Sequence, residues 1–211
     1  MTVPKLILAT RNEHKVGELR AILSKFISDL DPEVIQSARK FDIPEPVEDE
    51  VTFAGNALIK ARQLAVKTGI PALADDSGIC VDVLGGAPGI FSARWSGKHG
   101  DDTANLDLLL NQLADVPPEH RGANFTCAAA LVLPDGREFS RIGQVLGTLR
   151  FERAGVGGFG YDPIFQAKGM DVTLAELDPE QKNAISHRSR AFEQMAPLVT
   201  AVLNNEELPA S

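Results

Sequence analysis

The turn sequence Pro134-Asp135-Gly136 constrains the fold of this chain more than any other feature. It lies between two apolar runs, residues 123–133 and 138–146, and Asp-Gly between such runs is typical of a β-hairpin, whose strands pair antiparallel. Elsewhere, predicted strands and helices alternate, an order that builds parallel sheets. The sequence therefore predicts an α/β fold with a mixed sheet.

The start of the chain is predicted to be a strand, a polar loop and a helix. The predicted strand covers residues 5–9, of which residues 6–9 are apolar, residues 10–14 are polar, and apolar residues from Val16 to Phe26 recur at helical spacing. This order aims the N–H groups of the helix start at the loop, where they favour a phosphate. In a second predicted helix, Asn56 and Lys60 share a polar stripe.

Three further helix boundaries are marked by residues that favour helix ends. Gly69 is predicted to stop the second helix. Asp101 or Asp102 caps a third helix that runs to about residue 114. The last helix is predicted to start at Asp178-Pro179 and to run past residue 190, with Pro197 as a point where it kinks or breaks.

Charge and cysteine content exclude several classes of protein. The net charge of −8 would repel a nucleic-acid backbone, so any phosphate-bearing ligand must be small and held by local cations and N–H groups. Cys80 and Cys127 form no CxxC pair, and they indicate reduced, buried thiols of a cytoplasmic protein. The first apolar run is too short for a signal peptide, and no run approaches the roughly 20 residues of a membrane span.

The acidic tetrapeptide at residues 75–78 (DDSG) interrupts apolar sequence. Burying an unpartnered carboxylate is costly, and neighbouring side chains on a strand point to opposite faces, so Asp75 and Asp76 should have different roles. One of them could be structural while the other holds Mg²⁺ or activates water. A solvated turn after a strand explains the tetrapeptide equally well.

Two other polar segments allow a functional and a structural interpretation. Residues 10–15 (TRNEHK) combine a hydroxyl, an amide, a lysine and a helix start, which suits a polyphosphate, although a capped helix start is the commoner explanation. Lys182, Ser186, His187 and Arg188 are expected on the start of the last helix, where Lys182 and Ser186 share a face. They form either an anion or carbonyl-oxygen site or a positively charged helix surface.

The glycine-rich segment at residues 155–160 (GVGGFG) contains a literal GxGxxG. A dinucleotide fingerprint also needs a helix after the glycines, but Pro163 favours extended chain at Asp162. A loop that presents Phe159, Tyr161 and Asp162 to a flat base is a better interpretation. The sequence holds neither a GxSxG elbow nor a GxxxxGK[ST] P-loop, which argues against a serine hydrolase and a P-loop NTPase.

Taken together and in this order, these segments closely resemble the inosine triphosphate pyrophosphatase family, also called XTP/dITP diphosphatases. The resemblance runs from Leu6 to about Arg190. Several separated matches in one order are far more specific than any single match. The most specific stretches are residues 74–78 (ADDSG), 84–90 (LGGAPGI), 92–94 (SAR), 157–163 (GGFGYDP) and 185–188 (ISHR).

The resemblance implies an α/β fold with a long mixed sheet, flanking helices and two lobes around a central cleft, in a homodimer. Residues 1–204 are expected to form a single domain of this type, and residues 205–211 a short C-terminal tail. The implied reaction is Mg²⁺-dependent hydrolysis of ITP, dITP and XTP to the nucleoside monophosphate and pyrophosphate. Such an enzyme clears deaminated purine nucleotides from the nucleotide pool.

The resemblance also implies roles for single residues. Asp76 would be the general base and a metal ligand, Glu48 the second acid near Mg²⁺, Lys60 a catalytic or phosphate contact, and Ser77 a substrate contact. Cationic donors toward the purine O6 would be left unpaired by the amino group of adenine, which is how a hydrogen-bonding site discriminates. The remaining substrate-binding residues are Thr10, Arg11, Asn12, Glu13, His14 and Lys15 around the triphosphate, and Phe159, Gly160, Tyr161, Asp162, Lys182, His187 and Arg188 around the purine.

The chain departs from the family pattern at three positions. Arg11 stands where many relatives have glycine, Gly55 replaces a frequent acid, and Ser189 replaces a frequent glycine. If the acid at position 55 helps to hold a second metal ion, this protein binds that ion more weakly or lacks it.

Three other functions remain as alternatives to the hydrolysis of deaminated purine nucleotides. They are a related pyrophosphatase for modified pyrimidine or 8-oxo-purine nucleotides, a nucleotide sensor without catalysis, and a NAD-binding dehydrogenase, against which Pro163 argues.

Overall fold

The computed structural model describes residues 4–11, 13–28 and 30–208, and residues 13 and 14 by their backbone alone. The strands are β1 (Leu6–Leu8), β2 (Ile35–Ser37), β3 (Ala72–Val81), β4 (Gly122–Val132), β5 (Glu138–Leu149) and β6 (Phe165–Ala167). The α-helices are α1 (Glu13–Phe26), α2 (Phe53–Thr68), α3 (Asp102–Gln112), α4 (Pro179–Ile185) and α5 (His187–Asn204).

The strands form a six-stranded mixed sheet in the order β2-β1-β3-β4-β5-β6. β1 pairs parallel with β2 and with β3, and β5 pairs antiparallel with β6. At the predicted hairpin, the N–H of Leu133 donates to the carbonyl of Arg137 at 2.9 Å, and Gly136 takes a φ of 93°. The predicted α/β fold with a mixed sheet is thus confirmed, although β5 runs three residues beyond the predicted end.

Three helix boundaries lie where the sequence marked them. Gly69 ends α2 at a φ of 68°, whereas the start of that helix, where the Thr52 side chain accepts from the N–H of Gly55, was not predicted. Asp101 caps α3 by accepting from the N–H of Ala104. Asp178 and Gln181 form a capping box at the start of α4. These local signals were predictable because each satisfies backbone groups that a helix end leaves without partners.

Two sequence predictions need correction. Residues 75–78 are part of β3, which continues without interruption, so the interpretation as a solvated turn is wrong. The last helix is also not continuous, because Ser186 takes an extended ψ of 149° between α4 and α5. Lys182 and Ser186 therefore do not share the face of one helix. Pro197 does not end α5, which continues to Asn204.

The chain divides into two compact units. Unit 1 comprises the described residues of Met1–Asp76, Ala128–Gly143 and Ser189–Ser211, and unit 2 comprises Ser77–Cys127 and Gln144–Arg188. Each unit has its own apolar core. In unit 1 the alanine-rich face of α2 packs with β1, β3 and β4, and in unit 2 α3 packs with β3, β4, β5 and β6.

Two compact units agree with the prediction of two lobes. The single domain over residues 1–204 and the tail over residues 205–211 stay predictions. Within the part of the chain that the structure describes, no helix combines the length and the apolar composition needed to cross a membrane.

Candidate active site

A cluster of charged side chains in unit 1 contains three of the predicted site residues. Lys60 lies on α2, Asp76 on β3, and Glu48 on the segment that precedes α2. The Lys60 Nζ lies 3.1 Å from Glu48 Oε1 and 3.8 Å from Asp76 Oδ1. The two carboxylates therefore converge on one cation, and the Lys60 and Asp76 side chains are only 16% and 15% exposed.

Burial and charge compete in this cluster. Burial raises the pKa of Asp76, and the charges of Glu48 and Asp75 raise it further. Lys60 and Asn56 lower it, but the pKa remains above its ordinary value. For Lys60, burial lowers the pKa, but the carboxylates of Asp76, Asp75 and Glu48 outweigh it and raise the pKa above its ordinary value. The cluster thus favours a cation and holds a carboxyl group that is more basic than usual.

A pocket of about 160 Å³ lies next to this cluster in unit 1. The cationic side chains that line it are Arg11, Lys15 and Lys60, and Thr10 contributes a hydroxyl group. Glu48 and Asp75 are also part of its wall. A small pocket that combines cations with a hydroxyl group can hold a polyphosphate.

The predicted triphosphate loop is only partly within the described structure. Thr10, Arg11 and Lys15 all line the pocket, and the guanidinium of Arg11 donates to the carbonyl of Ile43. α1 begins at Glu13, within this segment, and the start of a helix is the position where its dipole favours an anion. The predicted contacts of Asn12 and of the Glu13 and His14 side chains lie outside the described residues.

Gly55, one of the departures from the family pattern, lies against Glu50. A Cβ atom at position 55 would be 2.7 Å from the Glu50 Cβ and 2.9 Å from its Cγ. Both distances are too short for non-bonded carbon atoms. The Glu50 side chain thus occupies the space into which a side chain at position 55 would extend.

A second group of predicted residues lies in unit 2, around a buried ion pair. The Lys182 Nζ lies 2.6 Å from Asp162 Oδ2, and the two side chains are 13% and 4% exposed. The same carboxylate oxygen accepts from the N–H of Phe159 at 2.8 Å. Burial raises the pKa of Asp162 above its ordinary value, although Lys182 and the Phe159 N–H oppose the shift.

The aromatic residues of the glycine-rich segment differ in exposure. The ring of Phe159 is half exposed, and the Lys182 Nζ lies 4.5 Å from its centroid. Tyr161 is instead buried in the core of unit 2, and its hydroxyl group donates to the carbonyl of Ser92 at 2.8 Å. The Phe159 ring is therefore accessible from solvent, whereas the Tyr161 ring packs in the core.

His187, Arg188 and Ser77 are close to other polar or aromatic groups of unit 2. The His187 ring stacks on Phe125 with centroids 5.0 Å apart and an interplanar angle of 13°. Arg188 Nη2 donates to Ser77 Oγ at 3.2 Å. Ser186 and Arg188 are buried. These contacts favour a positioned donor group over the alternative of a loose, positively charged helix surface.

The structure gives two residues contacts at the site that the sequence did not predict. Asn56 is 1% exposed, and its Nδ2 donates to Asp76 Oδ2 at 3.2 Å. Asp102 accepts the N–H of Gly160 at 3.0 Å and so holds the glycine-rich segment. The four-residue spacing from Asn56 to Lys60 was visible in the sequence. No sequence signal connects Asp102 with Gly160, because they are far apart along the chain.

The chain matches a known protein family over most of its length. The model of the Ham1 family matches residues 6–198. A dITP/XTP pyrophosphatase from Streptomyces coelicolor is 60% identical over 199 residues, which are 94% of this chain and 98% of that protein.

Solved structures agree with this match. The structure of a HAM1 protein from Coxiella burnetii is similar with a TM-score of 0.83 and 38% identity, over 94% of this chain and 99% of that one. A nucleoside-triphosphatase / dITP/XTP pyrophosphatase from Mycobacterium abscessus has a TM-score of 0.76 and 46% identity, over 92% and 98% of the two chains. From this sheet, these side chains and these matches, we conclude that the chain belongs to the Ham1 family.

Proposed function

We propose that this protein hydrolyses ITP, dITP and XTP to the nucleoside monophosphate and pyrophosphate, and so clears deaminated purine nucleotides from the nucleotide pool. The observation that carries the proposal is the convergence of Glu48 and Asp76 on Lys60 beside a cation-lined pocket. Relatives named dITP/XTP pyrophosphatase support it. The reaction consumes one water molecule and breaks the bond between the α-phosphorus and the bridging oxygen.

In this proposal the side chains of unit 1 hold the triphosphate and activate water. Lys15, Arg11 and Thr10 bind phosphate oxygens in the pocket that they line, and Lys60 neutralises charge that develops during the displacement. Asp76 takes a proton from the attacking water, a role for which its raised pKa makes it a stronger base than an ordinary carboxylate. Pyrophosphate is the leaving group.

The donor set of this cluster fits Mg²⁺, which we propose as the cofactor. Glu48 and Asp76 present hard oxygen atoms that already converge on one cation, the Lys60 ammonium. Among the described residues, no three His, Cys, Asp or Glu side chains form a metal-binding group. Mg²⁺ is commonly held through one or two carboxylates together with phosphate oxygens and water. When bound, it would neutralise charge on the phosphate oxygens.

The side chains of unit 2 are proposed to select the base. Phe159 stacks on the purine, and Lys182, His187 and Arg188 are donors for the 6-oxo group, held by their contacts with Asp162, Phe125 and Ser77. An adenine amino group would put a donor against these donors and leave them unpaired. The backbone of Gly160 and the Ser77 hydroxyl complete the proposed set, and the buried Tyr161 supports it from the core of unit 2 without touching the base.

We further propose that the enzyme works in the cytoplasm, binds no nucleic acid and forms a homodimer. Cys80 and Cys127 form no disulfide, as expected in a reducing compartment, and the net charge of −8 opposes binding to nucleic acid. In unit 2, Val83 and Phe91 are each 48% exposed, and they provide apolar surface for a second copy. Light scattering after size exclusion should give twice the mass of the chain.

The experiment that tests the function measures pyrophosphate release from ITP, dITP, XTP, ATP and GTP with Mg²⁺. We expect release from the first three, and its loss in Asp76→Asn, which removes the base. Asp171→Asn, which changes an exposed acid of unit 2, is the control and should leave release unchanged. Equal release from ATP, or undiminished release by Asp76→Asn, would contradict the proposal.

A further inference from the structure

A buried amide side chain connects two parts of the charged cluster in unit 1. Asn56 lies in the first turn of α2 and is 1% exposed. Its Oδ1 accepts the backbone N–H of Glu50 at 3.1 Å, and its Nδ2 donates to Asp76 Oδ2 at 3.2 Å. Both ends of the amide are therefore in use, which is what a buried polar side chain requires.

The bond to Asp76 assigns different partners to the two carboxylate oxygens. Oδ2 accepts from Asn56, whereas Oδ1 lies 3.8 Å from the Lys60 Nζ. The terminal torsion of an aspartate is broad, so a carboxylate without such partners can rotate. Asn56 and Lys60 are one turn apart on α2, and together they hold the carboxylate plane from one helix.

The bond to Glu50 acts on the segment that carries Glu48. Residues 42–50 form neither helix nor strand, so their position depends on individual contacts. Glu50 is two residues after Glu48, and its N–H is held by Asn56 just before α2 begins. Asn56 thus connects the backbone that carries Glu48 with Asp76, in addition to the contact that Lys60 makes with both carboxylates.

We propose that Asn56 is a positioning residue, which fixes the Asp76 carboxylate and the Glu48 segment so that both acids can share a divalent cation. The inference deepens the proposed function and rests on it. Asn56 itself would touch neither substrate nor cation. Side chains that hold metal ligands in place in this way commonly change metal affinity or activity by about 10- to 100-fold when they are replaced.

The test compares Asn56→Ala with a matched control, Asn105→Ala. Asn105 is also 1% exposed, but it belongs to unit 2, where its Oδ1 accepts from the N–H and hydroxyl of Ser96 at 2.7 and 2.8 Å. Two quantities are measured: kcat and KM for ITP with saturating Mg²⁺, and the dissociation constant of Mn²⁺ alone by electron paramagnetic resonance. The Mn²⁺ measurement needs no turnover.

For Asn56→Ala we expect kcat to fall and the Mn²⁺ dissociation constant to rise, each by about 10- to 100-fold, with little change in KM. Asn105→Ala should lose thermal stability while both quantities stay at the wild-type value. An Asn56→Ala protein with wild-type kcat and Mn²⁺ affinity would overturn the inference. Equal losses in Asn105→Ala would overturn it too, since they would indicate a general effect of destabilisation.

A second variant, Asn56→Asp, keeps the inference testable if Asn56→Ala does not fold. It retains an acceptor for the Glu50 N–H but replaces the donor to Asp76 by a carboxylate. Because the new carboxylate repels Asp76 instead of donating to it, we expect a loss of kcat comparable to that of Asn56→Ala, whereas wild-type kcat would overturn the inference. If the wild-type protein releases no pyrophosphate, the proposed function fails, and the Mn²⁺ constants still test Asn56 separately.

Discussion

The candidate groups of the two units differ in how completely their charges are paired. In unit 1, Lys60 lies between two carboxylates, and the Glu48 side chain remains 33% exposed. In unit 2, Lys182 and Asp162 form a closed pair at 2.6 Å with an aspartate that is 4% exposed. Partly exposed charges can still meet a cation and a triphosphate, whereas in the closed pair Asp162 fixes the Lys182 ammonium, whose remaining N–H groups can donate to a base. Under the proposed function, this difference suits unit 1 to the hydrolysis and unit 2 to the selection of the base.

Replacement of Lys60 should give the largest effect and sharpen this assignment. Lys60→Ala removes the cation shared by Glu48 and Asp76, and kcat for ITP should fall by about 10²- to 10³-fold. The ratio of kcat/KM for ITP to that for ATP should not change, because the proposed base contacts belong to unit 2. Steady-state kinetics of Lys60→Ala and of the control Lys67→Ala, on an exposed position of the same helix, test this. A changed ITP-to-ATP ratio with an unchanged kcat would contradict the proposal that Lys60 acts in catalysis and not in base selection.

Replacement of Lys182, in contrast to that of Lys60, should change the selectivity for the base. Lys182→Met removes a donor, so the ITP-to-ATP ratio should fall by about tenfold or more. It also leaves the buried Asp162 carboxylate without its cation, which costs about 3–5 kcal/mol of folding free energy. Adding Asp162→Asn should restore stability but not selectivity, as urea unfolding and kinetics would report. The exposed Lys168→Met is the control, and recovered selectivity in the double variant would contradict the donor role.

The two aromatic residues of the glycine-rich segment should separate binding from packing. Phe159→Ala removes a half-exposed ring, and stacking of a base on such a ring is worth about 1–3 kcal/mol, so KM for ITP should rise. Tyr161→Phe loses the hydrogen bond to the Ser92 carbonyl, which should lower the free energy of unfolding by about 1 kcal/mol without a change in KM. A raised KM in Tyr161→Phe would show that Tyr161 contributes to binding of the base.

The smallest effect is expected from an ion pair of unit 1 that lies outside the charged cluster. Arg62 on α2 donates to both carboxylate oxygens of Glu138 at 2.7 and 2.9 Å, but its side chain is 49% exposed. Arg62→Gln should change the free energy of unfolding by no more than about 1 kcal/mol. Both kcat and base selectivity should remain at the wild-type values. A loss of turnover would show that the charges of unit 1 act over a wider region than the cluster.

Prediction from the sequence succeeded where the signal was local. Gly69, Asp101 and Asp178 mark helix ends because each satisfies neighbouring backbone groups, and Gly136 marks a hairpin because of its positive φ. It failed at Ser186, where the chain leaves the helix although no glycine or proline marks the break. It also grouped Tyr161 with Phe159, since adjacent aromatic residues give no indication of which ring enters a core.

The sequence by itself determined the alternation of strands and helices, the mixed sheet and the family, because periodicity, turns and ordered motifs are written along the chain. Tertiary structure alone decided which of these residues share an environment. Asn56 and Asp76 are twenty residues apart in sequence, and Gly160 and Asp102 are fifty-eight apart. Such contacts depend on how elements pack, and burial then fixes which charges are paired, how their pKa values move and which side chains stay exposed.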